Sequence, residues 1–216
     1  MNTVYYFCRI QSTMGVKERK ARDRELMKET ILQSAHQLFV DKGFEDVSIR
    51  NIAEAIEYSP ATIYLYFKDK NEIFYALHGE AFNKFNAFMG VLAEVKDPFK
   101  RLIKMGERYM EFTFQFPKYY DIMFIMQAPM DCVKNSEEWK EGEIAHCQLE
   151  NLVKECQQHG HFKNREYKAL SFLIWSTMHG MCSLALRDRM KIYAEEERAR
   201  MLDKSFKMFK QILATI

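Results

Sequence analysis

The chain has 216 residues, 48% of them apolar and 29% charged, a balance that excludes a disordered chain. Gly and Pro together supply only 12 positions, too few for a turn-rich all-β protein. The net charge of +2 selects no partner, because positive charge can be concentrated locally. Five cysteines without a CxxC pair argue against a disulfide framework or a zinc ribbon and fit a reducing, cytoplasmic setting. No uninterrupted apolar run reaches the roughly 18 residues of a membrane-spanning helix, so no membrane partner is expected.

Residues 1–13 differ in composition from the rest of the chain, and Met14 is read as the natural start. From Met14 to Lys28 the chain is a basic arm: Lys17, Arg19, Lys20, Arg22, Arg24 and Lys28 face Glu18, Asp23 and Glu25, leaving net +3. Such an arm supplies salt-dependent attraction to a phosphate backbone.

From about residue 24 onward the pattern is helical throughout, giving an all-α fold. Met27, Ile31, Ala35, Leu38 and Phe39 share one face of a first helix. Gly43 ends it in a left-handed conformation, with Phe44 folding back as its apolar contact. Ser48 caps a short second helix over 49–56, with Ile49, Ile52, Ala53 and Ile56 inward. After Glu57-Tyr58, Ser59 caps a third helix with Pro60 at its first position, running to Phe67. Asp69 and Glu72 cap the fourth. Two short helices joined by about three residues over an apolar floor describe a helix-turn-helix.

The third helix puts Ile63 and Phe67 inward and Ser59, Ala61, Thr62, Tyr64 and Tyr66 outward. Small and hydrogen-bonding groups at the start of such a helix suit base contacts, and the later ones suit phosphates. Ser48 at a helix N-terminus, Arg50, Lys68 and Lys70 add anion-binding groups around it.

After residue 70 the helices lengthen: 70–95, 98–115, a short one from Pro117 to about Gln127, 136–158 capped by Asn135 and Glu138, 165–189 and 195–214, with a loop over 128–136. Residues 80–130 are rich in Phe, Tyr and Met, and the chain holds 14 Met. Flexible thioethers and aromatic rings suit an adaptable apolar cavity. Phe85, Met89, Met105, Tyr109, Phe112, Met123, Phe124, Trp175 and His179 are the candidate lining residues. The wide apolar stripes of the last two helices suit a four-helix bundle with a twofold mate.

Residues 26–78 resemble the tetracycline-repressor (TetR) family of bacterial transcriptional regulators. The resemblance rests on Ile31 to Phe44, Val47-Ser-Ile-Arg-Asn-Ile-Ala53 and Ser59-Pro-Ala-Thr-Ile-Tyr-Leu-Tyr-Phe-Lys-Asp-Lys70. Trp175-Ser-Thr-Met-His179-Gly180 likewise resembles a Trp-x-x-x-His-Gly element of one subgroup, in which Gly180 would permit close helix approach and His179 would need a partner or a ligand.

The resemblance implies a homodimer dimerising through helices near 165–189 and 195–214. With the leader and basic arm read over 1–23, it implies a DNA-binding domain over 24–70 and a ligand-binding and dimerisation domain over 71–216. The partners expected are a palindromic double-stranded DNA operator and a small apolar or amphipathic effector that releases it. Ser48 and Lys70 would meet phosphates, Pro60, Ala61 and Thr62 bases or adjacent backbone, and Tyr64 and Tyr66 backbone. The family's usual Gly in the turn is absent here, where the chain reads Glu57-Tyr58-Ser59, so that either Tyr58 takes an unusual backbone conformation or the turn differs slightly.

A TetR-like protein acting through a protein partner without operator binding is the alternative. No GxSxG, HExxH, phosphate-loop or dinucleotide motif occurs, so no catalytic residue and no cofactor is expected. Cys156, His159 and His161 do not have a standard zinc spacing, and no metal is expected.

Overall fold

A computed structural model describes residues 15–126 and 140–216, and every described regular element is helical. The helices are α1 Val16–Lys42, α2 Ile49–Ala55, α3 Pro60–Tyr64, α4 Lys70–Met89, α5 Pro98–Gln115, α6 Pro117–Phe124, α7 Lys140–Gln158, α8 Tyr167–Leu186 and α9 Glu195–Thr215. Short 3-10 turns cover Gly90–Glu94 and Arg189–Ile192. The chain divides into two compact units, the first ending at Ile73 and the second beginning at Phe74. Met14, Cys8 and Cys132, the expected loop over 128–136 and the Asn135–Glu138 cap lie outside the described residues.

α1 corrects the reading of residues 16–23 as part of a leader and arm. The helix already begins at Val16, where the Gly15 N–H donates to the Glu18 carboxylate at 2.9 Å. Lys, Glu, Arg and Ala are strong helix formers, but this segment is exposed on all sides and so carries no apolar stripe to announce it. Ile31, Leu32, Ala35 and Phe39 form the buried part of α1. Gly43 takes φ 85° and ψ 159°, a region open to glycine almost alone, and its N–H donates to Phe39 O at 2.9 Å. The positive φ agrees with the expected helix stop; the extended ψ departs from it. Phe44 does fold back, its ring 5.3 Å from that of Phe39.

α2 is capped by Ser48, whose Oγ accepts from the Asn51 N–H at 3.2 Å. Ile52 and Ala53 are buried, while Ile49 and Ile56 are half-buried. The turn into α3 places the left-handed residue at Glu57 (φ 60°) and not at Tyr58. α3 is shorter than expected: the helix ends at Tyr64, and turns carry the chain on to Phe67 through Tyr66 N–H to Ile63 O at 2.9 Å. Ser59 caps it, accepting from Thr62 N–H at 3.2 Å, with Pro60 first in the helix. At α4, Asp69 caps as expected by accepting from Glu72 N–H at 2.9 Å, while Glu72 reaches one residue further back, to Lys68 N–H.

In the second unit α4 gives way to a 3-10 turn at Gly90, so the expected 70–95 helix is two elements. Asp97 caps α5, accepting from Lys100 N–H at 2.7 Å. α5 is the central helix of this unit, packed against α6, α7 and α8. Leu102 of α5, Leu152, Val153 and Cys156 of α7, Leu170 and Ile174 of α8, and Leu213 of α9 share one buried cluster. A second, aromatic cluster joins Phe85, Phe88, Phe112 and Phe116 through edge-to-face contacts at 5.1–5.9 Å. α8 is, by length and composition, the described helix apolar enough to cross a bilayer, which a search for uninterrupted apolar runs misses. Leu170, Ile174, Met178 and Cys182 put one side of it in the core, while Phe172, Leu173 and Leu184 are exposed on the other.

Glu57 is a strained position. A side chain in the left-handed region costs about 1–2 kcal/mol, part of which glycine returns through its freer unfolded chain. Glu57→Gly is therefore expected to raise stability by about 0.5–1 kcal/mol, read as a higher urea midpoint at unchanged m-value.

Candidate functional site

The first candidate surface is the outer face of α3. Ile63 is fully buried and Phe67 nearly so, which fixes the rotation of the helix. Tyr64 is then 57% and Leu65 69% exposed, Ala61 is exposed, and Pro60, Thr62 and Tyr66 are half-buried. Leu65, which the sequence pattern assigns to neither side, and Tyr58 in the preceding turn are also exposed.

The hydroxyls of Ser48, Ser59 and Thr62 are already used locally. Ser48 Oγ lies 2.7 Å from Asn51 Oδ1, and Ser59 Oγ lies 3.0 Å from Thr62 Oγ1. Arg50 is exposed. Lys70 Nζ donates to Phe44 O at 2.7 Å and sits 4.0 Å over the Phe44 ring. It thus ties the segment after α1 to the start of α4 before any phosphate is met. Arg24 is not part of a loose arm; its guanidinium donates to Leu65 O at 3.3 Å and lies 5.3 Å from the Tyr66 ring. A helical α1 brings that residue to the end of α3.

The second candidate is a cavity of about 390 Å³ within the second unit. Of the nine expected lining residues, Phe85, Met89, Met105, Tyr109, Phe124 and Trp175 line it. Phe112, Met123 and His179 do not. Phe112 is fully enclosed in the aromatic cluster, Met123 is buried, and His179 stands behind the wall. Sequence reasoning missed the contributions of α7 (Gly142, Glu143, Ala145, His146, Gln148, Leu149) and α9 (Phe206, Phe209, Leu213). The α7 positions recur at helical spacing, but small and polar residues hid the stripe. Leu102, Ile103, Gly106 and Met178 also line the space, with Phe82, Phe172 and Ile174.

Gly106 is the glycine that close packing requires: a Cβ there would lie 3.1 Å from the Phe206 ring and 3.5 Å from Met178 Sδ. Gly180 does not play that part within the chain, since a Cβ there meets nothing within 4 Å.

His179 finds its partners within the protein. Its Nδ1 lies 2.9 Å from the Tyr120 hydroxyl and 3.3 Å from the Tyr109 hydroxyl, and its ring stacks on Tyr120 at 5.5 Å. Burial lowers the His179 pKa, which favours the neutral ring, and burial raises both tyrosines. Because Tyr109 and Trp175 line the cavity, this network is its outer support.

Cys156, His159 and His161 are engaged separately. Cys156 is buried with its thiol pushed up to about 12, His159 Nδ1 lies 2.9 Å from Glu155 O, and His161 stacks on Phe99 at 4.5 Å. Among the described residues no group of three His, Cys, Asp or Glu is placed to hold a metal ion.

A capped helix-turn-helix in one unit and an apolar cavity in a helical second unit are the architecture of a DNA-binding transcriptional regulator. The description "Bacterial regulatory proteins, tetR family" matches residues 31–77, and "Tetracyclin repressor-like, C-terminal domain" matches residues 102–209. The chain belongs to the tetR family of bacterial regulatory proteins.

It is 27% identical over 90 residues to the HTH-type transcriptional regulator SAB2452 of Staphylococcus aureus (strain bovine RF122 / ET3-1), covering 41% of this chain and 46% of that one. The chain thus spans about half the length of that relative. The fold is shared with the fatty acid degradation regulator FadR from Bacillus halodurans, at TM-score 0.68 and 20% identity over 87% of this chain and 94% of the other. It is shared also with FadR from Bacillus subtilis in complex with stearoyl-CoA, at TM-score 0.66 and 16% identity over 87% and 98%. The family and fold are those of DNA-binding transcriptional regulators, not of enzymes.

Replacing His179 by Phe keeps a ring but removes the Nδ1 contact of the Tyr120 hydroxyl, which retains the His179 backbone carbonyl at 3.3 Å. The loss of one hydrogen bond costs about 0.5–1.5 kcal/mol, so His179→Phe is expected to lower stability by that amount. The double variant His179→Phe with Tyr120→Phe should recover part of the loss, as chemical denaturation of the three variants will show.

Proposed function

We propose that this protein is a ligand-responsive transcriptional repressor that binds a palindromic operator as a homodimer and is released by a small apolar or amphipathic molecule. The observation that carries the reading is the geometry of α3: Ile63 and Phe67 are held in the core while Ala61, Tyr64 and Leu65 stand outward. Residues 24–70 are assigned to DNA and 71–216 to effector binding and dimerisation. Pro60, Ala61 and Thr62 would approach base edges; Ser48, Arg50, Tyr64, Tyr66 and Lys70 would approach the sugar-phosphate backbone. The basic side chains at the start of α1 add a sequence-independent, salt-sensitive term.

Dimerisation is supported by the outward side of α8 and α9. Leu173 and Leu184 on α8, and Met208 and Ile212 on α9, are at least half exposed. Together with Gly180, where a Cβ would meet nothing within 4 Å, they present an apolar surface of the kind that a second copy covers. Two copies so joined would hold their α3 helices at a fixed separation, to be matched by half-sites one helical turn apart. The effector acts only if it binds the DNA-incompetent state more tightly, by filling the cavity in a way that shifts α4.

The direct test is binding to DNA selected from a random library and to the gene's own upstream region. Tyr64→Ala is expected to weaken specific binding by about tenfold or more, with an unchanged melting curve because Tyr64 has no core contact to lose. Retention of full affinity by this variant would remove α3 from the interface.

A separate measurement addresses assembly. The wild type is expected at twice the 25.8 kDa chain mass by light scattering, and Leu173→Glu with Ile212→Glu at 25.8 kDa, with DNA affinity lost in parallel.

A further inference from the structure

The cavity's own charges narrow what it can hold, an inference that rests on its being the effector site. Its walls are built from aromatic rings contributed by four helices and one short helix: Phe82 and Phe85 of α4, Tyr109 of α5, Phe124 of α6, Trp175 of α8 and Phe206 of α9. Against them α7 sets Glu143, exposed at the edge, and His146. No Lys or Arg is among the described residues that line the space.

The charges nearby are mostly paired, though Lys210 Nζ lies 5.0 Å from the centroid of the lining Phe206 ring. His146 Nε2 lies 3.3 Å from Glu150 Oε1, so a second carboxylate stands behind the imidazole on the same helix. Three of the four basic side chains of α5 are paired with a carboxylate: Arg101 with Glu155 at 3.0 Å, Lys104 with Glu107 at 3.1 Å and Arg108 with Glu111 at 2.8 Å; the fourth, Lys100, is not among the residues that line the space. On α9, Lys207 is paired with Asp203 at 2.7 Å, and Lys210 lies 3.7 Å from Glu107.

An anion brought among these rings would lose its water and meet the negative faces of the aromatic side chains with no lysine or arginine among the described lining residues to answer it. A cation would meet those faces favourably, and Glu143 supplies the opposite charge. The acyl-CoA carried by the structural neighbour from Bacillus subtilis is polyanionic, and none of the described residues lining this cavity neutralises phosphate. We infer that the cavity is selective for lipophilic cations, molecules with an aromatic or aliphatic body and an amine, quaternary ammonium or comparable cationic centre lying toward Glu143.

The test uses three probes on the intact chain. The neutral dye N-phenyl-1-naphthylamine reports occupancy of the cavity by its fluorescence. Tetraphenylphosphonium and tetraphenylborate, nearly identical in size and shape and opposite in charge, are then compared as displacers. The phosphonium is expected to displace the dye at a concentration about tenfold or more below that of the borate. Glu143→Gln should reduce that ratio to about threefold or less, and Glu143→Asp should keep most of it, with melting curves unchanged because the residue is exposed.

Dye binding with the borate equal or superior, or a ratio indifferent to Glu143→Gln, overturns the charge selectivity and leaves the effector site standing. Failure of the dye to bind at all overturns the effector site itself and this inference with it.

Discussion

The burial of Ile63 and Phe67 is the constraint on which the rest of the first unit depends. Both side chains are closed off from solvent in a core that includes Ile31, Ala35 and Phe39 of α1 and Ile52 of α2. A helix as short as α3 has little stability of its own, so its existence and its rotation are set by this packing and by its caps. The Ser59 cap, Pro60 and the left-handed Glu57 bring the chain into α3 at one angle. Arg24 and Lys70 then tie down its far end and the segment after α1 through backbone carbonyls of Leu65 and Phe44. Every group on the outward face takes its position from those internal contacts.

The second unit solves a different problem. A domain that keeps a 390 Å³ space among its helices gives up packing, and its remaining contacts must compensate. The aromatic cluster around Phe112, the Leu102–Leu152–Ile174 core and the close approach at Gly106 do so on three sides of the space. The Tyr120–His179 hydrogen bond holds the wall that carries Tyr109 and Trp175. The Trp-x-x-x-His-Gly element is thus a support for the cavity and not part of its lining, with Trp175 facing the space and His179 one turn behind it.

Much of the fold was legible from local signals. Caps at Ser48, Ser59, Asp69 and Asp97, and prolines at 60, 98 and 117, mark helix starts by hydrogen-bonding chemistry that acts within four residues. Where the signal is global, reading failed. The first turns of α1 have no buried face and so no periodicity. The strain of the missing glycine settled on Glu57 because the α2–α3 geometry, not the residue type, chooses which position turns left-handed. Six cavity residues were found because aromatic and methionine side chains announce themselves. The α7 wall was missed because Gly142, Ala145 and Gln148 carry no such mark, and Phe112 was misplaced because an aromatic ring on the right helix can face the core just as well as the space.

The central claim is that the outward face of α3 meets DNA, and photo-crosslinking reads it without relying on affinity. A benzoylphenylalanine placed at Ala61, an exposed position, is expected to crosslink to selected operator DNA at bases within one half-site. The same group at Gln33, exposed on α1, should give no DNA adduct. Crosslinks from Gln33 and none from Ala61, in a complex that binds with wild-type affinity, would contradict the account.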